Sequence, residues 1–251
     1  MFESTLPADG AELMHLSNYQ RQREGALHDA ETEAGATLLT SLNASLLQDL
    51  LRFGPADDEG TGLEALEVLA AAVRHGRALL LHLQYHYRVI ALTVFAADGS
   101  LHCTLPLQQL LALELGDLRV LHVEPARLRP LSSGETDRVG EAGDYAALSP
   151  LLWELALRGA RETLLPEIAG PAAYRVAPGS ALHRLGLSGS LQAAVEQLRQ
   201  RPCNVAEIAS WPGFDRERAT RLLNGLYLHA ALIVSRTHPA AINGGRAAQA
   251  C

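Results

Sequence analysis

The stretch Ser190 to His238, SLQAAVEQLRQRPCNVAEIASWPGFDRERATRLLNGLYLHAALIVSRTH, decides the reading of the C-terminal part of the chain. Leu191, Ala194, Val195 and Leu198 recur at spacings of three and four, which predicts an amphipathic helix. Val205, Ile208 and Ala209 predict a shorter second helix, capped by Asn204. Trp211-Pro212-Gly213 is a turn, with Gly213 supplying the permissive backbone, and Asp215 can cap a third helix. In that helix Ala219, Leu222, Leu223, Leu226 and Ala230 make a core stripe, which leaves Arg216, Arg218, Arg221 and Asn224 outward and Leu228 surplus to the stripe. The apolar run Leu232-Ile233-Val234 closes the unit as a strand.

Three helices, a glycine turn between the second and third, and a closing strand resemble the winged helix-turn-helix superfamily. The resemblance covers about 50 of the 251 residues. It implies DNA binding as the commonest use, with the third helix in the major groove and the following strand near the backbone. Arg216, Arg218, Arg221 and Asn224 then face phosphates and base edges, and Arg236 lies just after the strand. Two features point instead to protein docking. Glu217 stands among the arginines, and Gly225-Leu226-Tyr227-Leu228-His229 is unusually apolar.

Charge points the same way. The chain carries a formal net charge of −7, which disfavours non-specific coating of nucleic acid or anionic membrane. Between Gly186 and Ala240, however, six arginines face four acids, so this module is the least acidic part of the molecule. All 21 basic residues are arginine. Without lysine there is no P-loop lysine, no Schiff base and no Ser-Lys dyad, so whole enzyme classes drop out. The composition suits a GC-rich, bacterial-type source.

Upstream, the expected fold class is α+β. Residues 1–33 read as a polar, partly mobile arm with a short helix through Leu13, Leu16 and Tyr19. Residues 34–128 read as a sensing or docking domain. It begins with a leucine-striped helix over Ala34 to Phe53 and an acidic loop over Pro55 to Gly62, and continues with a helix from Leu63 to Val73 stopped by Gly76. Strands follow from Ala78 onward, with Asp98-Gly99 as a hairpin turn, a short helix over Leu107 to Leu115 and a last strand at Leu118 to Val123. Residues 129–148 have a linker's composition. Residues 149–185 read as a connecting helix, capped by Ser149 with Pro150 in its first turn, and a strand at Tyr174 to Val176. The winged-helix-like module spans 186–238 and a flexible tail 239–251.

Four histidines fall in the expected sheet: His82, His86, His102 and His122. Strand alternation puts His82, His86 and Arg88 on one nitrogen-rich face, which together with His102 is a candidate site for an anion or small ligand. No carboxylate sits at ligand spacing, so a solvated or subunit-facing surface is the simpler reading, and no metal or cofactor is expected. Glu12-Leu13-Met14-His15 is a single Glu-x-x-His where a di-iron bundle needs two. Gly186-Leu187-Ser188-Gly189-Ser190 has serine where a nucleophile elbow needs glycine, and reads as the loop and cap of the helix at Leu191. Asp57-Asp58-Glu59 lacks the continuation of a calcium loop. Cys103, Cys203 and Cys251 form neither a disulfide framework nor a metal cage.

No catalytic set emerges. The start of the chain lacks a basic-then-apolar leader, and the apolar runs are too short to cross a bilayer, so a cytoplasmic protein is expected. The expectation is a non-catalytic regulatory or adaptor protein that binds a protein partner through its winged helix. The alternatives are a DNA-binding, dimeric transcriptional regulator and a nucleotide or small-molecule receptor using the histidine and arginine face of the sheet. A homodimer is compatible with each.

Overall fold

A computed structural model describes residues 13–32, 64–133 and 139–242. The leucine-striped helix expected over Ala34 to Phe53 and the acidic loop after it lie outside the described residues. The fold class is α+β, and every strand pairing is antiparallel.

The first structured segment is a two-residue strand, β1 (Met14–His15), running into helix α1 (Leu16–Thr32). The helix expected in the N-terminal arm is present. β1 pairs with Val89 and Arg88 of a later strand, and Tyr19 of α1 is buried against the sheet, so this segment is anchored by backbone and side chain. Helix α2 (Ala65–His75) follows, rich in alanine, leucine and valine, and nearly every residue of its first two turns is buried. It stops at Gly76, whose φ of 58° is left-handed and whose N–H donates to the carbonyls of Ala72 and Val73.

The main sheet then builds as a meander: β2 (Ala78–Tyr85), β3 (Arg88–Phe95), β4 (Ser100–Cys103) and, after helix α3 (Leu107–Ala112), β5 (Arg119–Pro125). β5 returns to the free side of β2, and a bulge between His82 and Leu83 shifts its register. A sixth strand, β6 (Tyr145–Ala147), pairs with β4, giving the order β5-β2-β3-β4-β6 with β1 beside β3. The segment expected as a linker therefore supplies an edge strand. Tyr145 is fixed by stacking on Phe95, at 6.0 Å between ring centroids, and by its hydroxyl donating to the Arg129 carbonyl at 2.6 Å.

Alternation divides the sheet. Leu79, Leu81, Leu83, Ile90, Leu92, Val94, Leu101 and Cys103 face a core shared with α2 and with helix α4 (Leu148–Arg158). The opposite face carries Thr93, Phe95, His82, His102, His122 and Glu124, with Tyr19 of α1 against His82.

α4 is buried on almost every side: Leu148, Leu151, Leu152, Trp153, Leu155 and Ala156 are all at or below 5% exposure. A helix with so wide an apolar surface needs more than one neighbour, and α4 lies between the sheet layer and the terminal module, with only Glu154 and Arg158 turned to a partly exposed ion pair. Its helix begins two residues earlier than the sequence suggests, with Ala147 rather than Ser149 at the cap position, so Ser149 does not cap it. The Ser149 hydroxyl instead lies 2.9 Å from Nε2 of His229 in the terminal module.

The module itself contains β7 (Ala173–Val176), α5 (Gly189–Gln200), α6 (Val205–Ala209), α7 (Arg216–Leu228), β8 (Leu232–Ser235) and a last turn of helix, α8 (Pro239–Ile242), in the segment expected as a tail. β7 comes from upstream of the three helices, yet it is the partner of β8 and also bridges to Cys203 through Tyr174. β8 is thus closed by an earlier strand rather than by a later one. Sequence-local reasoning found both strands but not their pairing, because the register is set across about 55 residues of intervening chain.

Candidate partner-binding surface

The helix-turn-helix geometry rests on local chemistry legible in the sequence. Asn204 and Glu207 form a reciprocal capping box: the Asn204 side chain accepts from the Glu207 N–H at 2.9 Å, and the Glu207 carboxylate accepts from the Asn204 N–H at 3.0 Å. Gly213 has φ 77°, as the turn requires. Asp215 caps α7 by accepting from the Arg218 N–H at 2.7 Å.

α7 is not the outward-facing helix that its charge pattern suggests. From Ala219 to Leu226 every residue except Arg221 is buried, and Asn224 has no exposure at all. The cause is α4, which packs along α7 on the side opposite the module's own core. Gly225 receives the Trp153 ring there, and His229 meets the same ring edge-on at 5.7 Å. Four of the residues expected to face a partner make contacts within the chain, although Arg236 stays exposed. The Asn224 amide spans two backbone groups of the segment after α4: Oδ1 accepts from the Leu165 N–H at 2.9 Å and Nδ2 donates to the Thr163 carbonyl at 3.0 Å. Arg221 reaches across to cap the end of α4 by donating to the Leu157 carbonyl at 2.7 Å, and it pairs with Glu217 at 2.8 Å. Leu228 is 5% exposed and belongs to the core. Arg236 donates to the carbonyls of Ala169 and Glu167, holding the turn before β7. Ala230, expected in the helical stripe, lies beyond the helix end with φ 51°.

What α7 leaves exposed is its first turn, Arg216, Glu217 and Arg218, together with the turn before it. Trp211 and Phe214 meet edge to face at 6.3 Å, and the Arg218 guanidinium lies 5.3 Å over the Phe214 ring while donating to the Ser190 hydroxyl at 3.0 Å. The Ser190 hydroxyl thus serves as a strut to α7; the position before α5 is Ser188, whose side chain caps nothing. An apolar groove opens between these aromatic rings and α5, floored by Ala193 and Ala194 and edged by Gln197. On the other flank of Arg218 a second, polar hollow is bordered by Leu157, Leu191, Asp215 and Glu217. The surface is therefore aromatic at its centre and mixed in charge at its rim, the composition of a protein-docking patch. In the sequence Trp211 stands out only as part of the turn, and Phe214 not at all. Their signal was two aromatic side chains three residues apart around a Pro-Gly turn.

The candidate ligand face of the main sheet divides as well. His86, with φ 50°, and Arg88 sit exposed at the β2–β3 hairpin tip, away from the mid-sheet histidines. His102 lies across β3 from His82, with its ring edge against Tyr145 at 4.8 Å and Nε2 3.7 Å from the Asp144 carboxylate. His82 belongs to a different cluster: it stacks near-parallel with His122 at 6.1 Å, beneath Tyr19 at 5.0 Å. Burial lowers the pKa of both imidazoles and raises that of the Tyr19 hydroxyl. Tyr19 Oη and His82 Nδ1 are buried with no hydrogen-bond partner among the described residues. No group of three or more potential metal ligands occurs among the described residues. No described helix is long and apolar enough to cross a membrane.

No family model matches the chain, and neither a curated protein nor a solved structure matches it.

Proposed function

We propose that this chain is a non-catalytic regulatory or adaptor protein of bacterial, cytoplasmic type, acting through protein contacts of its winged-helix-like module. One observation carries the reading: α7 is spent on holding the molecule together. Arg221 and Asn224, two of the side chains a DNA-reading helix would present, bind backbone groups of the α4 region instead. Arg236, after β8, is likewise taken by backbone carbonyls.

The exposed remainder suits a protein partner better than phosphate. Glu217 stands between Arg216 and Arg218 and is paired with Arg221, while the Trp211 and Phe214 rings offer rigid apolar area of the kind that dominates binding energy at protein interfaces.

The test is a photo-crosslinking amino acid at Gln197, on the groove's edge, in cells, with Tyr87 at the hairpin tip as a control position. The expected outcome is one recurrent protein adduct at the groove, absent at the control and lost with Arg218→Ala. A gel shift on pooled genomic fragments at moderate salt is the counter-experiment. Retardation abolished by Arg216→Ala and Arg218→Ala would replace this reading with DNA binding.

A further inference from the structure

The small sheet of the terminal module has one open side, and its hydrogen-bond phase is fixed by its neighbours. Tyr174 of β7 exchanges both backbone hydrogen bonds with Cys203, its N–H donating at 2.8 Å and its carbonyl accepting at 3.0 Å. Backbone groups alternate in direction along a strand, so those of Arg175 point the other way, toward β8, where Arg175 is paired with Ile233. The Ala177 N–H donating to the Ala231 carbonyl at 2.8 Å keeps the same phase. It follows that the N–H and C=O of Leu232 and of Val234 point away from β7, and these four groups have no hydrogen-bond partner among the described residues.

Edge strands usually carry something that keeps them solitary: a charge, a proline or a bulge. β8 is Leu-Ile-Val-Ser, uncharged, in unbroken register with β7, and Ile233 at its middle is 44% exposed.

We propose that β8 is the pairing edge of a homodimer, in which two copies join antiparallel about a two-fold axis at Ile233. Self-complementarity selects a second copy as the occupant. With Ile233 opposite the partner subunit's Ile233, Leu232 falls opposite the partner's Val234 and Val234 opposite the partner's Leu232. All four outward groups of each copy are then satisfied by the same four of the other. The central isoleucines become a non-hydrogen-bonded pair, the arrangement in which cross-strand side chains lie closest, so the exposed side chain is covered. Charge does not oppose the union. Arg175, on the same face as Ile233 and one strand inward, ends three strand spacings (about 14 Å) from its counterpart, beyond the screening length of physiological salt. The result is a continuous four-stranded sheet across two modules. One short strand per copy makes a modest interface, so the dimer dissociates on dilution.

The test uses register-specific disulfide trapping in the full chain with Cys251→Ser. Cys103 and Cys203 are buried, and burial pushes the Cys103 thiol up to about 11, so neither competes. In Ile233→Cys the two new thiols share a non-hydrogen-bonded pair about 4.5 Å apart between Cα atoms, within disulfide reach. In Ser235→Cys they lie four residues out of register, about 14 Å apart. The expected result is rapid covalent dimer from the first variant and none from the second. Sedimentation of the unmodified chain should show a concentration-dependent rise from 26.9 kDa toward twice that mass, abolished by Ile233→Arg with the circular dichroism spectrum kept. Absence of crosslinking at position 233, equal crosslinking at both positions, or a monomer throughout the micromolar range overturns the proposal.

Discussion

Gly225 of α7 faces the six-membered ring of Trp153 in α4 so closely that a β-carbon there would stand 2.8 Å from Cζ3 and 3.0 Å from Cε3. The missing side chain lets the module's third helix approach the sheet domain, and Ala156, 3.5 Å from the same point, closes the contact from the other side. A glycine in mid-helix is otherwise a cost of about 1 kcal/mol relative to alanine. Its presence there marks the α4–α7 contact as the joint of the molecule.

Gly225→Ala therefore sets two terms against each other. Helix propensity gains about 1 kcal/mol, but overpacking against a buried indole typically costs 1–3 kcal/mol. Since Trp153 is 4% exposed and backed by the core, the clash dominates and the variant is expected to be less stable than the parent. Trp153→Phe combined with Gly225→Ala should recover part of the loss, and a double-mutant cycle by urea denaturation measures the coupling. Additive effects would mean that the two residues do not share the contact.

Asn224 makes a sharper case, because it is fully buried and both ends of its amide are used by the backbone of Thr163 and Leu165. Asn224→Ala strands the buried Leu165 N–H, worth about 1–3 kcal/mol when unmet, and leaves the Thr163 carbonyl to Arg161 alone. Asn224→Asp keeps the acceptor but turns a carboxylate toward the Thr163 carbonyl, so at neutral pH it should be at least as damaging. Neither change removes a partner-facing group, which separates them from Arg218→Ala: that variant should melt within a few degrees of the parent while losing the crosslink.

The contrast between Asn224 and Arg218 explains how far the sequence could be read. Caps, turn and apolar stripe are local, and each of them (Asn204, Asp215, Gly213, Leu222, Leu226) stands where periodicity and turn chemistry put it. Outward faces are different, since a helical wheel divides a helix only into apolar and polar sides. A second partner covering the polar side with backbone carbonyls leaves no mark in the α7 sequence. The hint lay elsewhere, in the broad apolar surface of α4, where Leu151, Leu152, Trp153, Leu155 and Ala156 exceed a single stripe and call for two neighbours. The β7–β8 pairing and the edge position of β6 are likewise long-range facts, invisible to alternation within a strand. For the histidines, alternation set His82 apart from Leu81 and Leu83, but it did not show that Tyr19 would cover His82.

That cover gives the fold a pH dependence of definite sign. His82 and His122 stack beneath α1 with their pKa values lowered, first by burial and, for His122, next by the positive charge of Arg23; Glu124 opposes both shifts weakly. Their neutral forms are the ones the fold accommodates. In the unfolded chain each binds its proton at an ordinary histidine pKa, so below that value the unfolded state holds more protons than the folded one. Stability is consequently full above the ordinary histidine value and falls as pH drops through it toward the lowered folded values. Thermal melts of the parent should decline over that window. His82→Gln with His122→Gln should flatten the decline, and an unchanged slope would exclude this pair as its source.

Arg161 and Glu67 provide a test in which removing one partner differs from removing the other. The guanidinium pairs with both Glu64 and Glu67, and it also donates to the carbonyls of Thr163 and Leu164, tying α2 to the segment after α4. Burial raises the Glu67 pKa more than Arg161 lowers it, so the ionised carboxylate is held at a net cost and stability falls as pH rises through its raised folded value. Glu67→Gln should therefore be close to neutral, keeping a hydrogen-bonding group without the buried charge. Arg161→Ala removes the only cation that bonds this half-buried carboxylate among the described residues and leaves the Leu164 carbonyl unmet, while the Thr163 carbonyl keeps its bond from Asn224, with an expected loss of about 3 kcal/mol or more, as for other broken buried pairs. Combining the two changes should return part of that loss, because the residual penalty is then the unmet Leu164 carbonyl and the more exposed Glu64 rather than the half-buried charge of Glu67. Urea titrations of the four proteins resolve the cycle, and a double variant no more stable than Arg161→Ala alone would show that the carboxylate is not the source of the cost.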